Sequence, residues 1–259
     1  MSLAPLIGPL VGAGLYEAFG WRSSFAVMSA FAVVVLLSSR AVLRETQQAP
    51  NRHALALQPM LRTYALVLRS PAFRAYTLAS AASYAGVFAF ISGSSFVLIR
   101  VLGLSPTEFA RSFSTMVAGY LVGTLVCRRL VNRGLQLTIQ VGAVLQFAAG
   151  LALAAGALAG LHGVSAITVP MFAFGASHGI VQSPAQAGAV APFKHAAGAA
   201  AALLGFCMML CAAAVGIWIG ASYNGTVYPL TLTVAACSAL TSLVACTLVR
   251  RDGDVSHHG

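Results

Sequence analysis

A chain of 259 residues that is 59% hydrophobic and only 8% charged, with a mean hydropathy of +0.86, lies far outside the soluble globular range, where about a quarter of residues are charged. Its formal net charge of +10 comes from basic residues in short segments between apolar runs, which read as membrane topology signals and exclude a nucleic-acid surface. The five cysteines, Cys127, Cys207, Cys211, Cys237 and Cys246, sit in or at the ends of apolar runs, so they form no disulfide framework. Cys207 and Cys211 share a helix face at i, i+4, but no third ligand stands nearby. They read as small packing residues, and no metal or other cofactor is expected.

The chain enters apolar sequence at Leu3 and has no Lys or Arg before Arg22, so it lacks the basic start of a cleavable signal peptide. The first span, Leu3 to Phe19, is short for a bilayer and holds two prolines and three glycines, as a helix without its beginning would. Within it Gly8, Pro9 and Gly12 give a small-residue face that lets another helix approach closely. The second span runs from Ser23 to Leu43. Residues 44–72 form the long polar connection, a cytoplasmic linker in which Leu57, Met60, Leu61, Tyr64 and Leu68 recur at helical spacing around Arg62 and Arg69. That pattern predicts an amphipathic helix on the membrane surface.

The third span, Ala75 to Ile99 between Arg74 and Arg100, is the longest: 25 uncharged residues at ~1.5 Å each cover about 37 Å, more than a ~30 Å hydrocarbon core needs. Leu104-Ser105-Pro106-Thr107-Glu108 is a turn entering a helix, with Glu108 favourably near its amino end. The fourth span follows from about Phe109 to Cys127, closed by Arg128, Arg129 and Arg133. Gly134 to Phe193 is free of charge for 60 residues and breaks at Leu161-His162-Gly163, giving spans five and six. His195 to Val249 is free of charge for 55 and breaks at Ser222-Tyr223-Asn224-Gly225, giving seven and eight. Counting Lys and Arg by side gives 12 on the side of the linker and the carboxyl terminus against 3, namely Arg22, Arg100 and Arg111, on the other. The positive-inside rule then predicts that both termini and the linker are cytoplasmic.

The run Ala85-Gly86-Val87-Phe88-Ala89-Phe90-Ile91-Ser92-Gly93-Ser94-Ser95-Phe96-Val97-Leu98-Ile99, with Gly103-Leu104-Ser105-Pro106 after it, resembles the seventh helix of the bicyclomycin-resistance (Bcr/CflA) family, drug:proton antiporters of the major facilitator superfamily. Gly8-Pro9, Gly12 and Gly14, followed by Trp21-Arg22, resemble the antiporter motif of the fifth helix, with Ala13 breaking the final glycine pair. A general packing face explains them equally well. Gly198 to Phe206 is similar to the family's entry to the eleventh helix, and Arg129-Leu130-Val131-Asn132-Arg133-Gly134 to the superfamily's basic loop between helices eight and nine. Where the family has a proline-asparagine pair, Ser183-Pro184-Ala185-Gln186 stands instead, so substrate details do not carry over.

The resemblance implies an all-α polytopic protein of eight transmembrane helices: residues 1–43 as the last two helices of a first six-helix bundle, 73–251 as a complete second bundle, and 252–259 as a cytoplasmic tail. It implies truncation at the amino terminus and a bacterial inner-membrane location. The implied function is efflux of hydrophobic or amphiphilic drugs in exchange for protons across the lipid bilayer. The five acids, Glu17, Glu45, Glu108, Asp252 and Asp254, lie at span ends or in the tail. In the family the proton-carrying acid belongs to the first bundle, so this chain by itself is expected to be inactive and to need the missing half, from a partner or a second copy. The alternatives are a half-transporter that needs a partner and another major facilitator transporter of small metabolites; an embedded enzyme is not expected, for want of an HExxH motif, of paired interior acids and of a nucleophile elbow of the Gly-x-Ser-x-Gly kind. By the same resemblance the third, fourth, sixth and seventh helices line the cavity. The candidate pathway residues are Tyr84, Phe88 and Ser92 on the third, where Phe96 continues the face, Phe174, His178 and Gln182 on the sixth, and Met208, with Met209, on the seventh. A mid-span His and Gln are costly to leave in lipid.

Overall fold

The structure is a computed structural model, and it describes residues 11, 12, 14, 15, 18–42 and 57–249. The chain divides into two compact units, Met1–Met60 and Leu61–Gly259. Every regular element among the described residues is helical, and seven helices are long and apolar enough to cross a membrane. Of the predicted first span, residues 3–10, 13, 16 and 17 lie outside the described residues.

In the first unit the helix α1 (Trp21–Val42) buries none of its residues. Its entry is fixed locally: Gly20 takes a φ of +75°, and the Ser23 hydroxyl donates to the carbonyls of Gly20 at 2.6 Å and Leu15 at 3.0 Å. Trp21 meets Phe25 edge-on with centroids 5.9 Å apart, and the Arg22 guanidinium lies 4.8 Å from the Trp21 ring. An aromatic and a cation at a span end suit the interface between lipid and water.

The second unit begins in helix α2 (Leu57–Arg69). A helix forms where the sequence predicts one: Val67 is buried in the core, Met60, Thr63 and Tyr64 are half-buried, and Leu61 and Leu68 are exposed. Helix α3 (Pro71–Ser95) follows after one residue. Ser70 caps it by accepting from the Phe73 amide, and Pro71 supplies the fixed φ of a first turn. The span continues as a π-helical turn over Phe96–Val101. Helix α4 (Pro106–Leu130) opens with a capping box, in which the Ser105 hydroxyl accepts from the Glu108 amide at 3.3 Å and the Glu108 carboxylate accepts from the Ser105 amide at 2.9 Å. Helices α5 (Leu135–Leu158), α6 (Val164–Val190), α7 (Ala197–Ser222) and α8 (Tyr228–Val244) complete the bundle, with breaks at the predicted loops. A π-helical turn, Ala245–Val249, ends the last.

Helix α3 packs on α6, α7 and α8, while α6 packs on α3, α4 and α5, and α5 also meets α8. Exchanging α3 with α6, α4 with α7 and α5 with α8 maps this set of pairs onto itself. The outer faces remain apolar: Leu125, Leu151, Ile217 and Trp218 are all exposed, as helices need to be when their solvent is lipid.

The closest contact is between α4 and α6. A Cβ on Gly119 would run into the Phe172 carbonyl, one on Gly123 into that of Ala176, and one on Gly175 into that of Met116. On Gly179 it would lie 2.6 Å from the Tyr120 oxygen and 2.9 Å from the Thr124 nitrogen. The two Gly-x-x-x-Gly pairs, Gly119 with Gly123 and Gly175 with Gly179, therefore interlock backbone to backbone.

Candidate functional site

The seam sets up the site, because it holds the backbone of Tyr120 on α4 against the turn of α6 that carries His178. The ring centroids of Tyr120 and His178 are 5.7 Å apart. From α3, Tyr84 approaches the same imidazole at 6.3 Å. Ser83, one residue before it, has its hydroxyl 2.8 Å from His178 Nδ1 and 3.0 Å from Oε1 of Gln146 on α5. Four helices thus converge on one histidine. A mid-helix serine commonly bonds back to its own turn, as Ser177 does to the Ala173 carbonyl at 2.7 Å. Ser83 instead reaches across to other helices. Gln146 is fully buried, and its amide nitrogen has no hydrogen-bond partner.

One turn along α6 a second polar cluster forms. Gln182 accepts from the Ser80 hydroxyl at 3.3 Å, and its amide nitrogen lies 3.7 Å from the Met208 sulfur; Gln186 sits at the same distance from that sulfur. Ser80, Ser83 and Tyr84 stand at i, i+3 and i+4 on α3, opposite His178, Gln182 and Gln186 at i, i+4 and i+8 on α6. Pro184 lies inside α6 between the two glutamines and removes the backbone donor that would pair with the Ile180 carbonyl.

The candidate residues divide accordingly. Tyr84, Phe88, Ser92 and Phe96 are all half-buried, a continuous stripe along α3 at every fourth residue. Phe88 and Ser92 lie at Gly216 of α7, where a Cβ would be 3.1 Å from the Phe88 ring and 3.4 Å from the Ser92 hydroxyl. His178 and Gln182 are brought into the polar contacts above. Phe174 is different: it is fully buried and its ring fills the space beside Gly86. Met208 is also buried, its sulfur engaged by amides and a hydroxyl, while Met209 is exposed. Gly8 and Pro9 lie outside the described residues. At Gly12 nothing among the described residues stands within 4 Å of where a Cβ would be.

Tyr120, Ser80, Ser83, Gln146 and Gln186 join the site without having been singled out. Gln146 was detectable as an amide in the middle of a charge-free run, and Ser80 and Ser83 by their spacing with Tyr84. Only the seam places Tyr120. Contrary to the expectation that no such motif occurs, Gly175-Ala176-Ser177-His178-Gly179 has the Gly-x-Ser-x-Gly spacing of a hydrolase nucleophile elbow. It lies in the middle of α6 with Ser177 bonded to its own helix, not on the strand-to-helix turn such a nucleophile needs. Among the described residues no three His, Cys, Asp or Glu side chains are grouped to hold a metal.

The family model described as Major Facilitator Superfamily matches residues 1–216. The chain belongs to the major facilitator superfamily. Among curated relatives, this superfamily member is 25% identical over 251 residues to a bicyclomycin resistance protein homolog of Haemophilus influenzae, covering 96% of this chain and 63% of that one. It is 24% identical over 261 residues to the multidrug resistance protein MdtL of Escherichia coli, covering 99% and 63%. It is 25% identical over 228 residues to YdgK of Bacillus subtilis, an uncharacterized MFS-type transporter, covering 85% and 55%. The chain thus spans no more than about three-fifths of the length of these relatives.

Proposed function

We propose that this chain supplies one substrate-binding half of an exporter of hydrophobic or amphiphilic molecules, working in exchange for protons in a bacterial inner membrane. The observation that carries the reading is the half-buried stripe Tyr84, Phe88 and Ser92, which ends on the buried imidazole of His178. Aromatic rings interrupted by a few fixed polar groups suit an apolar ligand with one or two hydrogen-bonding points. Superfamily membership and the drug-resistance names of two relatives support the same class. Residues 73–251 form a six-helix bundle of two three-helix repeats, α3 to α5 and α6 to α8, for which the exchange symmetry of the helix pairs speaks. Residues 1–43 contribute two helices of the other bundle, and both termini face the cytoplasm.

Among the described residues the one carboxylate is that of Glu108, exposed at the first turn of α4. Proton exchange therefore calls on a group outside this bundle, and alternating access calls on a second bundle to rock against. The 259 residues alone do not export; joined to the four further helices of a twelve-helix transporter, they do. The test is growth of a drug-sensitive bacterium on chloramphenicol-like and bicyclic compounds. Tolerance stays at the vector level with this chain and rises when it is fused behind the first four helices of the Haemophilus influenzae relative. Efflux by the 259 residues that a protonophore abolishes would overturn the half-transporter reading in favour of self-assembly.

A further inference from the structure

We infer that Ser83 and Gln146 hold His178 as the neutral tautomer protonated on Nδ1. Its Nε2, between Tyr84 and Tyr120, is then the acceptor for a substrate hydroxyl or N–H on an aromatic body. This deepens the reading above and rests on it for the word substrate. The Ser83 hydroxyl has a single proton to give. Its oxygen lies 3.0 Å from Gln146 Oε1, an atom with no hydrogen, so Ser83 donates there. At 2.8 Å from His178 Nδ1 the same oxygen has only lone pairs left, so Nδ1 carries the proton. In the neutral ring Nε2 is then the lone-pair nitrogen.

Nothing described bonds to Nε2. The hydroxyls of Tyr84 and Tyr120 likewise have no partner among the described residues, and none of these three atoms belongs to the sealed, unpaired set of Thr77 Oγ1, Ser94 Oγ and Gln146 Nε2. His178 is nonetheless 94% buried, with 6% of its surface exposed. An imidazole fixed on one edge, flanked by rings at 5.7 and 6.3 Å, and open on its other nitrogen is a directional acceptor. The groups that face it are Ser83 and Tyr84 from α3, Tyr120 from α4 and, through Ser83, Gln146 from α5. None is charged, so the site favours a neutral donor over a cation. The Gln146 amide is the selector: with Oε1 toward Ser83 the ring proton is on Nδ1, whereas with the NH2 toward Ser83 the serine proton would go to Nδ1 and the ring proton to Nε2.

The test is 15N NMR of the full 259-residue chain, labelled at histidine and held in lipid nanodiscs, with the His178 signals identified by their loss in His178→Gln. Protonated and unprotonated ring nitrogens resonate in separate regions. The expected result is a neutral ring with the proton on Nδ1. Gln146→Leu frees the serine proton and reverses the tautomer, whereas Ser83→Thr, which keeps the hydroxyl, does not. 2-Naphthol should shift the Nε2 signal, and its methyl ether, which has the same rings without the donor, should not. The naphthol should bind about three- to tenfold more tightly, the worth of one hydrogen bond. A proton found on Nε2 in the unaltered chain, or equal responses to both compounds, would overturn the inference. The tautomer is read without transport, so failure of the export reading leaves this result standing, and a ring protonated on Nε2 refutes the inference even where export occurs.

Discussion

Gly179→Ala tests whether the α4–α6 seam holds the site together. The added methyl would lie 2.6 Å from the Tyr120 carbonyl oxygen, 0.8 Å inside the 3.4 Å at which ordinary contact begins, and 2.9 Å from the Thr124 nitrogen. Both obstacles are helical backbone, which cannot swing aside as the end of a side chain would. The helices must separate, and the fit at Gly119, Gly123 and Gly175 loosens with them. Overpacking of this kind costs about 1–3 kcal/mol. Alanine recovers about 0.5–1 kcal/mol through its better helix propensity, leaving a net loss of up to about 2.5 kcal/mol, at the upper end because both obstacles are backbone. For a chain of this size that lowers the melting midpoint by up to about 10 °C. The assay is thermal unfolding in detergent at one scan rate, since membrane bundles rarely refold on cooling. Gly205→Ala is the control: no atom stands within 4 Å of its Cβ, so only the propensity gain remains and the midpoint should hold or rise slightly. Gly123→Ala should behave like Gly179→Ala. The double variant should lose less than the sum, because the first methyl already parts the helices. Equal midpoints for Gly179→Ala and Gly205→Ala would refute the reasoning.

Glu108→Ala removes one arm of the capping box on α4 and should cost about 1 kcal/mol, seen as a midpoint about 2–4 °C lower; Glu108→Gln, which still accepts from the Ser105 amide, should lose less. Gln182→Leu takes the acceptor from Ser80 and the donor from Met208, and should cost about 0.5–1.5 kcal/mol of stability by the same melting assay, with Gln182→Glu worse because it buries a charge. A reporter fused after Gly259 or inserted near Gln48 should read out in the cytoplasm, and one inserted at Asn224 on the far side. A far-side signal at Gln48 would overturn the orientation drawn from the basic residues.

Element boundaries were legible in the sequence because the bilayer imposes one simple demand. A charge-free run of 60 or 55 residues can only be two spans, and the polar break at His162 or Asn224 falls where the chain turns. The capping box at Ser105 and Glu108 was equally readable, since it depends on residues three apart. Helix α2 was readable as a helix, but not that Val67, outside the expected stripe, is the residue buried in the bundle, because that depends on the shape of the surface the helix meets. For a related reason the sequence did not show that Phe174 and Met208 are buried. Spacing puts a residue on a face, but inside a bundle each face meets a different helix, and only a three-dimensional fit separates a packed ring from one that lines a cavity. In lipid the usual contrast between apolar inside and polar outside is lost, so Tyr120 carries no local mark of its role.

The exchange symmetry of the helix pairs sharpens this last point. The α4–α6 contact and its counterpart α7–α3 occupy equivalent places in the bundle, yet they are filled differently. The first is glycine against glycine, with backbones touching and little room for a side chain. In the second, Gly216 of α7 receives the Phe88 ring and the Ser92 hydroxyl of α3. One contact is therefore rigid and sets distances, and the other is lined by side chains that have rotamers to change. His178 lies on the rigid side, one residue before Gly179, and the stripe it terminates runs along the adaptable side. Directional hydrogen bonding needs a fixed acceptor, whereas tolerance of varied apolar bodies needs rings that can yield. On the proposed reading, the choice of glycine or aromatic side chain at equivalent contacts would divide the requirements of an amphiphile site between the two contacts.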